Sequence, residues 1–86
     1  MNICSMVVHT RPEQVKAVSS RLAQMDGIEV HGETEEGKII VTVERDERSL
    51  QSETMMQMQD VDGVLTTALV YEYHEEPEAA LKEVSQ

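Results

Sequence analysis

The stretch IEVHGETEEGKIIVTVE, Ile28 to Glu44, decides the fold. Its first part alternates, with Ile28 and Val30 on one side of an extended chain and Glu29, His31 and Glu33 on the other. A period of two that runs to Thr34 marks a half-buried strand, and its charges suit a sheet edge. Glu35-Glu36-Gly37-Lys38 turns the chain, with glycine where the backbone needs its freedom. Ile39-Ile40-Val41-Thr42-Val43-Glu44 is nearly all β-branched and apolar, the pattern of a central strand. The middle of the chain is thus a hairpin, a polar edge strand beside a buried one.

Outward from the hairpin, each flank reads as a helix. Upstream, Thr10 can cap, Pro12 suits the first turn, and Glu13 favours the positive end of the helix dipole. Val15, Val18, Leu22 and Met25 recur at three- and four-residue steps, one face of an amphipathic helix closed by Asp26-Gly27. Downstream, Asp46 to Gln59 forms the second helix, with Asp46 or Ser49 as cap. Its apolar stripe is Leu50 or Gln51, Thr54, Met55, Met58 and Val61, and Asp60-Val61-Asp62-Gly63 closes it. The outermost segments, Ile3 to His9 and Val64 to Tyr73, read as strands.

The order strand, helix, strand, strand, helix, strand is that of an α+β, ferredoxin-like βαββαβ domain. Two right-handed crossovers place two helices on one face of a four-stranded antiparallel sheet. The domain spans residues 1–74. Residues 75–86, with Pro77 and four glutamates, are expected to form an acidic C-terminal tail, frayed or a short helix.

Such a layout leaves one sheet face uncovered, and alternate positions there should be polar. They are not. Strand four is apolar on both parities, and strands one and three are nearly so. Cys4, Met6, Val8, Ile39, Val41, Val43, Val64, Ala68 and Val70 are assigned to the helix side, the small Ala68 leaving room for a helix. His9, Lys38 and Glu44 share the other parity and favour solvent. The open face then carries Ile3, Ser5, Val7, Ile40, Thr42, Leu65, Leu69 and Tyr71, rimmed by Glu29, His31 and Glu33. An apolar patch with an acidic rim suits a peptide. The same patch also fits a homodimer seam, or a face covered by the tail.

Charge narrows the partner. Seventeen acidic and seven basic residues give a net charge of −10. That field repels nucleic acids and anionic membranes and favours a basic segment. No apolar run approaches the roughly 18 residues of a membrane span, and the N-terminal segment lacks the basic leader of a signal peptide, so a cytoplasmic location is expected.

Chemistry is sparse. There is no Gly-rich phosphate loop and no nucleophile elbow. Cys4, the single cysteine, lies on the opposite parity from His9 and reads as a small core residue. Glu29, His31 and Glu33 are the nearest thing to a metal set and read better as a solvated strand face. His74, beside Glu75 and Glu76, reads as surface. Met55 and Met58 read as core, Met56 as exposed. The expectation is a binding protein without catalysis, cofactor or metal. A small-ligand or metal-sensing ferredoxin-like module is the alternative.

Four segments carry a family resemblance: Cys4-Ser5-Met6-Val7-Val8, Gly27-Ile28-Glu29-Val30, Gly37-Lys38-Ile39-Ile40-Val41-Thr42-Val43-Glu44, and Val61-Asp62-Gly63-Val64-Leu65 followed by Leu69-Val70-Tyr71. In order and spacing they resemble the NapD family over roughly residues 2 to 73. The resemblance implies a cytoplasmic chaperone of nitrate reductase maturation and Tat export. It would bind the twin-arginine signal peptide of the molybdenum-containing periplasmic nitrate reductase subunit and restrain export until the cofactor is inserted. A monomer is expected. The acidic rim suits the arginines and the apolar face suits the hydrophobic segment. The peptide can lie as a helix on the face or extend along a strand edge; the apolar face favours the helix.

Overall fold

The computed structural model describes residues 2–74. In chain order these form β1 (Asn2–Thr10), α1 (Val15–Ala23), β2 (Ile28–Glu33), β3 (Lys38–Arg45), α2 (Arg48–Gln59) and β4 (Val64–His74). The four strands make one sheet in the order β2-β3-β1-β4, and every neighbouring pair is antiparallel. This is the expected ferredoxin-like α+β architecture. The expectations for residues 75–86 lie outside the described residues.

The two central strands fix the core. β1 and β3 pair without interruption from Asn2↔Arg45 to His9↔Lys38. Residues opposite each other share a face. Cys4, Met6 and Val8 therefore lie with Val43, Val41 and Ile39, and all six are buried. Val15, Val18 and Leu22 of α1 and Met58 of α2 close over them. α1 packs through aliphatic side chains, each fully buried one worth about 1.5–3 kcal/mol. α2 is held partly by polar contacts. Buried Gln51 donates through Nε2 to the Val43 carbonyl at 3.2 Å, and Arg45 Nη1 donates to Thr54 Oγ1 at 3.3 Å. Met55 and Val61 only flank the core.

Both helix starts differ from expectation. Thr10 is no cap: it is the last residue of β1, its N–H donates to the Gly37 carbonyl, and its hydroxyl donates to the Arg11 carbonyl at 2.6 Å. Arg11 instead precedes a 3₁₀ turn, Pro12–Gln14, which leads into α1. Neither Asp46 nor Ser49 caps α2. Glu47 occupies that position without a side-chain hydrogen bond, while the Asp46 carbonyl accepts from Asn2 Nδ2 at 3.0 Å. At the first place Thr10 is committed to the sheet and the turn beside it; at the second, Asn2 ties down the Asp46 backbone one residue ahead of the cap position.

The β2–β3 turn packs against the end of β1. Gly37 has φ +108°, and a Cβ there would run into the Thr10 carbonyl oxygen. Only glycine meets both demands.

The edge strands carry the irregularities. On β4 the register runs Ser5↔Tyr71 then Met6↔Leu69, and His9↔Thr66 then Thr10↔Val64. Val70 and Leu65 are thus extra residues, each a β-bulge. On β2, Val30↔Val41 is followed by Gly32↔Ile40, which makes His31 a bulge residue. A bulge shifts the alternation by one, so simple parity fails beyond it. Ala68 pairs with Val7 on the uncovered face, not beneath a helix, and Val70 is an exposed bulge residue. Simple alternation places both on the helix side, and the bulges overturn that. Val64, opposite buried Thr10, keeps its assigned side.

Candidate functional site

The sheet face away from the helices is built as rows across the strands. The first row runs Glu44, Ile3, Tyr73. The second runs Glu29, Thr42, Ser5, Tyr71. The third runs Gly32, Ile40, Val7, Ala68, and the fourth Lys38, His9, Thr66. Ile3, Ser5 and Val7 are half-buried because β1 has a neighbour on each side. Ile40, Tyr71 and Tyr73 are 42%, 57% and 44% exposed, so the surface is an apolar strip with hydroxyls at its centre.

Ile3, Ser5, Val7, Ile40, Thr42, Tyr71, Glu29 and His31 do come together on this face. The His31 ring is fixed there, its Nε2 lying 2.8 Å from Thr42 Oγ1. Three expected members do not join them. Leu69 pairs with Met6 and so belongs to the helix side, where it stays 49% exposed at the sheet margin. Leu65 is a bulge residue at the Arg11–Asp62 end of the domain, beside Gln14 and Gly63. Glu33 pairs with Ile39 on the helix side, near Pro12, Val15 and Lys16. The bulges at Val70, Leu65 and His31 are the physical cause in each case.

Ala68 and Tyr73 also take places on the face, and Glu44, on its expected parity, stands at its end. Tyr73 had a readable signal, since Tyr71-Glu72-Tyr73 alternates and puts both rings on one side. Ala68 had none, because its placement depends on the bulge.

The face is polarised along the strands. Glu29 and Glu44 stand at the end where β1 begins; Lys38 and His9 stand at the other. Neither glutamate is engaged by a basic side chain among the described residues. Behind the face, burial pushes the Cys4 thiol up, Glu72 adds to the effect, and a hydrogen bond from the Val43 backbone opposes it. A buried thiol held protonated is a poor nucleophile. Among the described residues no three His, Cys, Asp or Glu side chains are grouped to hold a metal ion. No helix among them is long and apolar enough to cross a membrane.

One face of the sheet is packed and the other, among the described residues, is apolar, acid-framed and open, which is the build of a docking domain. The family model described as NapD protein matches residues 1–76, and the chain belongs to that family. It is 33% identical over 75 residues to "Chaperone NapD" of Escherichia coli K12, covering 86% of each chain. It is 28% identical over 78 residues to "Chaperone NapD" of Haemophilus influenzae, covering 90% of this chain and 82% of that one. The solution structure of the E. coli Tat proofreading chaperone protein NapD superposes with a TM-score of 0.77 at 33% identity. That match covers 87% of this chain and 80% of the other. The relatives are named chaperones, a non-enzymatic role.

Proposed function

We propose that this protein is a cytoplasmic, monomeric chaperone of periplasmic nitrate reductase. It binds the twin-arginine signal peptide of the molybdenum-containing catalytic subunit and restrains export until the cofactor is in place. The observation that carries this reading is the open face itself: a strip of Ile3, Val7, Ile40, Ala68 and Tyr71 with Glu29 and Glu44 at one end. An apolar strip takes the hydrophobic segment of such a peptide, and free carboxylates take its basic motif. The names of the relatives, chaperone and Tat proofreading chaperone, support the same reading. No metal or cofactor enters the chaperone's own work.

Calorimetric titration with the signal peptide, with both arginines or with both replaced by glutamine, tests it. The intact peptide binds and the substituted one binds at least tenfold more weakly. Val7→Asp places a charge in the middle of the strip and removes binding while circular dichroism still reports the fold. Equal, weak binding of the two peptides rules the reading out.

A further inference from the structure

We propose that the two arginines of the signal peptide are read by different chemistries on opposite walls of the open face: the first by Tyr71 and Tyr73, the second by Glu29 and Glu44. This rests on the signal-peptide reading above and on the helical mode that the apolar floor favours.

The geometry starts from the first two rows. Tyr73 on β4 and Glu44 on β3 flank Ile3 on β1, so they stand two strand spacings apart, about 10 Å. Tyr71 and Glu29 are three spacings apart, about 14 Å. An α-helix with its side chains is about 10–12 Å across, so one resting on the sheet reaches from the tyrosine margin to the glutamate margin. The tyrosines follow one another at a two-residue step on the same edge. Glu29 and Glu44 are diagonal neighbours on adjacent strands, about 7–8 Å apart, close enough to share one guanidinium.

Charge sets the direction. The basic motif belongs at the end of Glu29 and Glu44, because the Lys38 ammonium occupies the other end. The apolar segment then runs over Ile40, Val7 and Ala68. Four rows at about 7 Å per two residues span about 20 Å, the length of a helix of about 13 residues.

Adjacent residues on a helix diverge by about 100°. Two consecutive arginines facing the floor cannot point the same way; they straddle it, one leaning to each wall. Handedness decides which. With right-handed crossovers, the open face viewed with β1 pointing up shows β2 at the left and β4 at the right. A right-handed helix running upward turns successive floor-facing residues from right to left. The first arginine therefore leans toward β4 and its tyrosines, where a guanidinium lies over a ring face. The second leans toward the carboxylates, which accept its paired N–H groups.

Double-mutant cycles by calorimetry test this with the full chain and four peptides: both arginines, either one replaced by glutamine, or both. In wild-type protein each single replacement weakens binding about three- to tenfold. In Tyr71→Leu/Tyr73→Leu the first arginine no longer matters and the second keeps its full effect. Tyr71→Phe/Tyr73→Phe restores the effect of the first. In Glu29→Gln/Glu44→Gln the pattern is the reverse, and raising salt diminishes the second arginine's effect more than the first's. Both arginines coupling to one wall, to neither, or in the opposite order overturns the proposal. If Val7→Asp still abolishes binding in that case, the signal-peptide reading survives. A peptide that does not bind wild-type protein removes both.

Discussion

Cys4 and Gly37 show how much a single residue reveals. Cys4 was legible as core because its parity sets it with Met6 and Val8, and it is fully buried. Its thiol is held above the ordinary value of 9.0, first by burial and then by Glu72. The sign of the consequence is definite. The folded state keeps this proton more tightly than the unfolded chain, so stability is intact below pH 9.0 and falls as pH rises through that value. The loss is at most about 1.4 kcal/mol per pH unit. Urea melts between pH 8 and 10 should show a shallower decline in Cys4→Ala than in wild type. Gly37 was legible as a turn residue, but not its contact with Thr10, which needs the folded sheet. Gly37→Ala meets both an unfavourable φ of +108° and the Thr10 carbonyl. It should cost at least about 1–3 kcal/mol, read as a lower urea midpoint with an unchanged slope.

Among the elements, β1 and β3 were the most legible and β4 the least. The central strands are paired on both sides and keep strict alternation, so parity assigned Cys4, Met6, Val8, Ile39, Val41 and Val43 correctly. β4 is apolar on both parities, so nothing in its sequence marks the shifts at Leu65 and Val70. They arise from pairing with β1, and they exchange the roles of Ala68 and Leu69. Glu33 was misplaced by the same mechanism at His31. Two neighbouring substitutions separate the register seen here from simple alternation. Ala68→Asp should reduce affinity for the signal peptide by at least tenfold, because residue 68 sits beside Val7. Leu69→Asp should leave affinity within about twofold, because residue 69 faces the other way. It should also cost under about 1 kcal/mol of stability at a site that is half exposed. Calorimetry for affinity and urea melts for stability check both.

At the scale of the described domain, two helices on a single side of the sheet account for both the thin core and the open face. Two helices close one side of the sheet, and no described element covers the other. A chain of 86 residues buries little more than about 60% of its unfolded surface. Its stability therefore depends strongly on whatever occupies the second face. A peptide that binds the folded state alone, at a hundred times its dissociation constant, adds about 2.7 kcal/mol. For a domain of this size that raises the melting temperature by roughly 10–20 °C. The net charge of −10 adds a second dependence. It attracts a basic peptide over about 8 Å at physiological salt and over about 3 Å at 1 M. The association rate should fall steeply between low salt and 1 M, while the apolar part of the affinity persists. Thermal melts with and without peptide, repeated across that range, should show a shift that shrinks with salt but does not vanish. A salt-independent shift would mean that Glu29 and Glu44 take no part. A shift abolished by salt would mean that the apolar strip does not hold the peptide.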